Sequence, residues 1–238
     1  MQLADYPVGA IHRFLYPPNI PVLLARGRMP GRTLVVTAGV HGDEYEGMRA
    51  IYDLFETLHA DELRGNVVAV PVLHVAAYGA GTRCSPLDGA NLARVFPGKP
   101  DGSPTEMLAW HFEREILPLA DAYIDLHSAG TSFAMPALVG YDACEEGSFA
   151  LAEAFGARVL WGHPVIAPGR TVSAAKDRRI PWIYTEMRGA GRVHPAWRRQ
   201  LSFNALMHQP SGVDYASDGF SARRRWLAVV LGCPAHVH

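Results

Sequence analysis

Thr33-Leu34-Val35-Val36-Thr37-Ala38-Gly39-Val40 is apolar almost throughout, where a half-exposed strand would alternate. Such a run reads as a strand buried on both faces, as at the centre of a parallel sheet. It leads directly into His41-Gly42-Asp43-Glu44. Two more apolar runs, Ala122 to Leu126 and Ile180 to Thr185, lead in the same way into His127 and Glu186. In an open α/β sheet, reactive groups collect at the carboxyl ends of strands. Three such ends therefore offer two imidazoles and two carboxylates.

The flanking sequence supplies the rest of that sheet. Ala10 to Tyr16 and Pro21 to Ala25 read as short strands, with a turn at Arg28-Met29-Pro30-Gly31. Val67 to Leu73, Ala137 to Tyr141 and Arg158 to Trp161 read as further strands. Glu46 to His59 has helical spacing, with Met48, Ile51, Tyr52, Phe55 and Leu58 on one face. A second helix opens at Pro104-Thr105-Glu106, with proline in the first turn and an acid behind it, and runs to about Leu117. Glu146 to Phe155, Val172 to Arg178 and Pro195 to Met207 complete the helices.

This order predicts an α/β fold: a doubly wound, mostly parallel (mixed), twisted sheet with helices on both faces. Residues 1–208 form the expected catalytic domain. Residues 209–238 form a short tail, with one apolar stretch from Trp226 to Leu231. Residues 79–104 are dense in Gly, Pro, Asp and Ser, and a loop of that length is usually functional.

Composition narrows the partners. The 238 residues are 49% hydrophobic and 19% charged, enough for one substantial core. A formal net charge of −1 gives no reason to expect a nucleic acid. No apolar stretch approaches the ~18 residues of a membrane span. Cys84, Cys144 and Cys233 are widely spaced and make neither a C-x-x-C pair nor a disulfide framework. With no signal peptide legible at the N-terminus, the expectation is a soluble cytoplasmic protein.

His41 and Glu44 stand three apart, which lets an imidazole and a carboxylate converge on one cation. A lone His-x-x-Glu pair recurs by chance, and a histidine after a strand is often only a core or capping residue. The coincidence of three strand ends argues for a catalytic zinc site, which takes three protein ligands and keeps a position for water. On the long loop, Arg83 and Arg94 suit an oxyanion or a carboxylate, because the planar guanidinium offers paired donors and does not lose its charge.

Taken together, His41-Gly42-Asp43-Glu44-Tyr45-Glu46-Gly47, the Arg83 loop, Asn91-Leu92-Ala93-Arg94-Val95-Phe96-Pro97-Gly98, Asp125-Leu126-His127-Ser128 and Thr185-Glu186 form one ordered set. It resembles the aspartoacylase/succinylglutamate desuccinylase family of the zinc carboxypeptidase superfamily. The nearest branch is the bacterial deacylases of N-acetylated diamino acids such as N-acetyl-2,4-diaminobutyrate. The resemblance implies a zinc carboxypeptidase-like fold and one zinc per chain, held by His41, Glu44 and His127. It implies Glu186 as general base, Arg83 on the scissile carbonyl and Arg94 on the substrate carboxylate. The implied partner is a small N-acyl amino acid or amine.

Two departures stand out. The family's asparagine before the carboxylate-binding arginine is Ala93 here, so Asn91 and Arg188 become the substitutes to consider for substrate binding. The family's β-rich C-terminal domain has no counterpart in the last thirty or so residues. A more open cleft follows, or a second subunit supplies the wall, with Trp226 to Leu231 at the contact. A zinc carboxypeptidase on short peptides and a catalytically silent ligand-binding homologue are the competing readings. His59, His74 and His111 read as core or surface residues, Cys84 as a small buried one, and Tyr184 as strand packing. Loops around 129–136, 162–170 and 187–193 set the shape of the pocket.

Overall fold

The structure, a computed structural model, describes residues 1–193 and the backbone of residues 227–230. Among the described residues, nine strands form one sheet: β1 (Ala10–Tyr16), β2 (Ile20–Arg26), β3 (Met29–Ala38), β4 (Arg64–Val70), β5 (Ala122–Ser128), β6 (Leu138–Asp142), β7 (Val159–His163), β8 (Trp182–Met187) and β9 (Leu227–Val230). Their order is β1-β2-β4-β3-β5-β8-β6-β7-β9. The central β4, β3, β5 and β8 run parallel, while β1, β2 and the β6–β8 pair introduce antiparallel pairing. The mixed, mostly parallel sheet expected from the strand pattern is the one observed.

The continuous apolar run of β3 works because its successive side chains enter opposite cores. Leu34, Val36 and Ala38 pack with helix α1 (Tyr45–Thr57) in a core that also holds Leu151 and Phe155 of α4 (Glu146–Phe155), which covers β6 and β8 on the same face. Val35 enters the core on the other face, which holds Phe112 and Ile116 from the end of the helix that starts as α3 (Pro104–His111) and Val172 and Ala175 from α5 (Thr171–Asp177). Helices therefore cover both faces. Of the α1 face expected to be apolar, Met48, Ile51 and Phe55 are buried, whereas Tyr52 is exposed.

One packing detail positions the chemistry. A Cβ on Gly47 would lie 2.6 Å from Leu126 Cβ, so only glycine lets the first turn of α1 sit directly on β5. That contact brings the segment carrying Glu44 against the strand carrying His127. Truncating Leu126, which is fully buried, would cost about 2–5 kcal/mol and loosen the same junction.

The long loop is also held. Ser103 and Glu106 form a reciprocal capping box at the start of α3, with Pro104 as the first helical residue. Asp88 accepts hydrogen bonds from Thr105 N–H and Oγ1, both at 2.8 Å, which ties the Arg83–Arg94 loop to that helix end. Burial opposes the charge on Asp88, but these hydrogen bonds hold its carboxyl well below the usual range.

Several boundaries differ from the sequence reading. β3 starts at Met29, where a turn was expected, and a bulge between Met29 and Thr33 absorbs the irregularity as it pairs with β4. A short helix α2 (Val75–Ala80) occupies the entrance to the long loop. His74 is buried as its N-cap, and His74 Nδ1 accepts the Ala77 N–H at 3.4 Å. Cys84 is half-buried with a free thiol. The apolar stretch near the end of the chain contributes β9, parallel to β7 at the sheet edge. The helix expected over 195–207 and most of the tail lie outside the described residues. Among the described residues, no helix is long and apolar enough to cross a membrane.

Candidate active site

β3 is followed by α1 on one face of the sheet, and the segment returning to β5 passes through α3 on the other. Such a divergence opens a crevice at the carboxyl ends of the strands. His41 and Glu44 sit in the loop after β3. His127 and Glu186 sit inside β5 and β8, where they are register partners. The sequence reading placed Glu186 just past its strand. The ladder extends to Met187, which fixes the direction of the Glu186 side chain.

Glu44 is the hub. Its Oε1 lies 2.7 Å from His41 Nδ1 and accepts a hydrogen bond from Arg83 Nη1 at 2.8 Å. Its Oε2 lies 2.9 Å from His127 Nδ1 and accepts the Ser128 N–H at 3.0 Å. Burial alone would raise the pKa of this carboxyl, but the two histidines outweigh burial and keep it ionised far below the usual range. The imidazoles of His41 and His127 have centroids 5.0 Å apart.

Behind His127 stands Asp125, two residues earlier on the same strand and fully buried. Its Oδ2 is 3.0 Å from His127 Nε2. Thr37 donates to its Oδ1 at 2.7 Å, and Thr171 makes a second, short hydrogen bond to Oδ2. This carboxylate fixes the imidazole so that Nδ1 faces Glu44, the arrangement by which outer carboxylates orient metal-binding histidines. Burial disfavours charge on His127, yet Asp125 and Glu44 together raise its pKa well above the ordinary value. On His41, burial dominates and lowers it.

The donor set fits zinc. One ligand atom each from His41, Glu44 and His127 falls within 4.8 Å of the others. Two imidazole nitrogens and a carboxylate oxygen, with the outer ring positions occupied by Asp125 and Asn91, are the makings of a catalytic zinc centre. The surroundings of His127 favour its protonated form, and a metal needs the free nitrogen, so zinc binding there would compete with a proton. Zinc loading is expected to release protons, and affinity should weaken as pH falls. Calorimetry in buffers of different ionisation enthalpy measures that release. A pH-independent affinity would show that His127 is not a ligand.

Glu186 is half-buried and makes no part of the cluster. Burial pushes its pKa up to about 7, with His127 pulling down and Glu44 pushing up. The arginines and Asn91 divide their tasks differently from the simplest expectation. Arg83 is half-exposed, with one guanidinium nitrogen on Glu44. Arg94 is exposed and donates to the Ala93 carbonyl. Asn91 turns its Oδ1 toward His41 Nε2 at 3.1 Å and accepts the Ala93 N–H, so in this structure it supports a candidate ligand where substrate contact was expected. Its side chain faces the site because Asn91 caps the 3-10 turn at Leu92–Arg94, a local geometry that an extended loop would not produce. Arg188 is exposed, and its carbonyl accepts the Met135 N–H.

Two residues near the site carry no role in the sequence analysis. Asp125 was legible only as part of a motif. Arg170 lies at the start of α5, where burial leaves its Nε without a partner. The Arg94 pKa is lowered by partial desolvation and then by Arg170 and Arg83, which places those two cations within electrostatic reach of Arg94. Tyr184, on the same strand face as Glu186, has its hydroxyl 2.8 Å from His163 Nε2. Burial and the nearby Glu186 push its pKa up to about 12.

The mixed sheet has a zinc carboxypeptidase-like α/β fold, with a largely buried His-Glu-His cluster at its carboxyl edge. Residues 30–206 match the succinylglutamate desuccinylase/aspartoacylase catalytic domain, and the chain belongs to that family. It is 44% identical over 182 residues to the N-alpha-acetyl-L-2,4-diaminobutyric acid deacetylase of Halomonas elongata, covering 74% of this chain and 53% of that protein. The crystal structure of a succinylglutamate desuccinylase/aspartoacylase from Rhodobacter sphaeroides is similar with a TM-score of 0.70 and 36% identity, over 76% of this chain and 55% of that one. The murein-tripeptide amidase MpaA of Escherichia coli O157 shares the fold, with a TM-score of 0.62 and 18% identity over 89% of this chain and 98% of that one. The chain thus spans about half the length of the curated relative it matches.

Proposed function

We propose that this protein is a zinc-dependent amidohydrolase that removes the acyl group from a small N-acylated amino acid, with N-acetyl-2,4-diaminobutyrate the first substrate to test. The observation that carries this reading is Glu186: a carboxyl pushed to about 7 beside, but outside, a His-Glu-His cluster. A base near neutral pKa beside a metal cluster is what amide hydrolysis needs and what simple ligand binding does not. The family membership and the deacetylase relative support the same chemistry.

A zinc ion held by His41, Glu44 and His127 would polarise the scissile carbonyl and lower the pKa of a water to about 7. The chain's own residues do the rest. Glu186 accepts a proton from the attacking water and delivers it to the leaving nitrogen. Arg83 donates to the oxygen that gains charge in the tetrahedral transition state, and losing such a donor costs about 10²–10³ in rate. Arg94 binds the substrate carboxylate, with Arg170 within electrostatic reach of that arginine. That supplies the grip an asparagine at position 93 would have shared. Asp125 keeps the His127 ring oriented throughout.

A hydrolysis screen on zinc-loaded protein tests the reading. Acetylated, succinylated and aromatic-acylated amino acids run beside dipeptides bearing a free terminal carboxylate. Release of free amino acid from an N-acyl substrate is the expected result. Cleavage of dipeptides alone would replace the deacylase by a carboxypeptidase.

A further inference from the structure

The two loops beside Glu186 are fastened to each other. Residues 129–136 and 187–191 exchange Met135 N–H to Arg188 O at 3.1 Å, Ala190 N–H to Phe133 O at 2.7 Å and Gly191 N–H to Gly130 O at 3.2 Å. Ala134 also pairs with Gly189 in an isolated β-bridge. The result is a small flap rooted in the strand ends that carry His127 and Glu186.

The flap is held from below by an acid of the His41–Gly47 segment that the metal cluster does not use. Glu46, in the first turn of α1, is 3% exposed. Its Oε2 accepts the Gly189 N–H at 2.7 Å, across 143 residues of sequence. Gly189 has φ +75°, and a Cβ there would lie 2.6 Å from both Ala129 Cβ and Phe133 O. Only glycine lets the backbone descend far enough to meet the carboxylate. Asp43 occupies the matching place under the other loop: a Cβ on Gly130 would lie 3.0 Å from Asp43 Oδ2.

Glu186 itself does not need this support. It is paired within the sheet with His127 on one side and Leu138 on the other. What the clamp fixes is the flap beyond it, with exposed Phe133 and Arg188. We propose that Glu46 is a positioning residue that clamps this flap as one wall of the substrate pocket, so that it governs substrate fit and not the chemical step. This rests on the deacylase reading for its substrate, though the clamp itself does not.

The test compares Glu46→Leu, which removes the acceptor, with Glu46→Gln, which keeps one. With N-acetyl-2,4-diaminobutyrate as probe, Glu46→Leu should raise KM at least fivefold, leave kcat within twofold and retain wild-type zinc content. Hydrogen–deuterium exchange should rise in peptides covering 129–136 and 187–191. Glu46→Gln should restore both readouts toward wild type. Unchanged KM and unchanged exchange in Glu46→Leu would overturn the proposal. So would a fall in kcat and zinc content at constant KM, because Glu46 would then act through Glu44. If Glu46→Leu does not fold, Gly189→Ala carries the same expectations from the other side of the contact. Should the wild type hydrolyse no N-acyl substrate, the deacylase reading fails, and the exchange comparison alone decides the clamp.

Discussion

Replacing Glu186 with glutamine is expected to lower kcat by about 10²–10⁴, the usual contribution of a general base, while zinc stays stoichiometric. Glutamine has the size of glutamate and can hydrogen-bond, but it cannot take a proton from water. The residue lies outside the His41, Glu44 and His127 group, so its loss removes no candidate ligand. Stability provides the control. The Glu186 pKa is raised from its ordinary value to about 7, so the folded state binds its proton more tightly than the unfolded chain. Such a group lowers stability as pH rises from about 4.5 through 7. The neutral amide escapes that loss, and metal-free Glu186→Gln should melt no lower than metal-free wild type at pH 8. Loss of turnover with intact zinc and undiminished Tm identifies a base. Full activity in this variant would exclude the proposed mechanism.

His127→Ala is expected to lose both zinc and turnover, leaving activity at background. The variant removes one of three candidate ligands, and it also leaves Asp125 buried beside only Thr37 and Thr171. Asp125→Asn separates these effects. It keeps every candidate ligand but weakens the hold on His127 Nε2, and changes to such outer partners cost about 10–100-fold in metal affinity or activity. Metal content after dialysis against a graded chelator should therefore rank wild type above Asp125→Asn, and Asp125→Asn above His127→Ala. Stoichiometric zinc in His127→Ala would remove that residue from the metal centre and undo the assignment.

The sheet was legible because its centre is made of strands with both faces buried. Thr33 to Val40, Ala122 to Leu126 and Ile180 to Thr185 announce themselves as unbroken apolar runs, and the residues just after them are where a parallel sheet exposes chemistry. The helix start at Pro104 was equally plain, since capping is written within four residues. Less visible were features set by partners distant in sequence. The antiparallel insertion of β6 beside β8, the bulge at the start of β3 and the cap role of His74 all depend on which backbone groups meet across the fold.

The amino-acid sequence by itself determined which chemistry was available: two imidazoles, an acid three residues from the first of them, a spare carboxyl and two loop arginines, each tied to a strand end by local periodicity. Tertiary structure alone decided how those groups are shared. Asn91 turned to His41 and not outward, Asp125 took hold of His127, Arg170 came within electrostatic reach of Arg94, and Glu46 reached Gly189. The physical reason is range. Periodicity and capping act within a few residues and can be read along the chain, whereas burial and hydrogen-bond geometry are fixed only when segments many tens of residues apart are packed together.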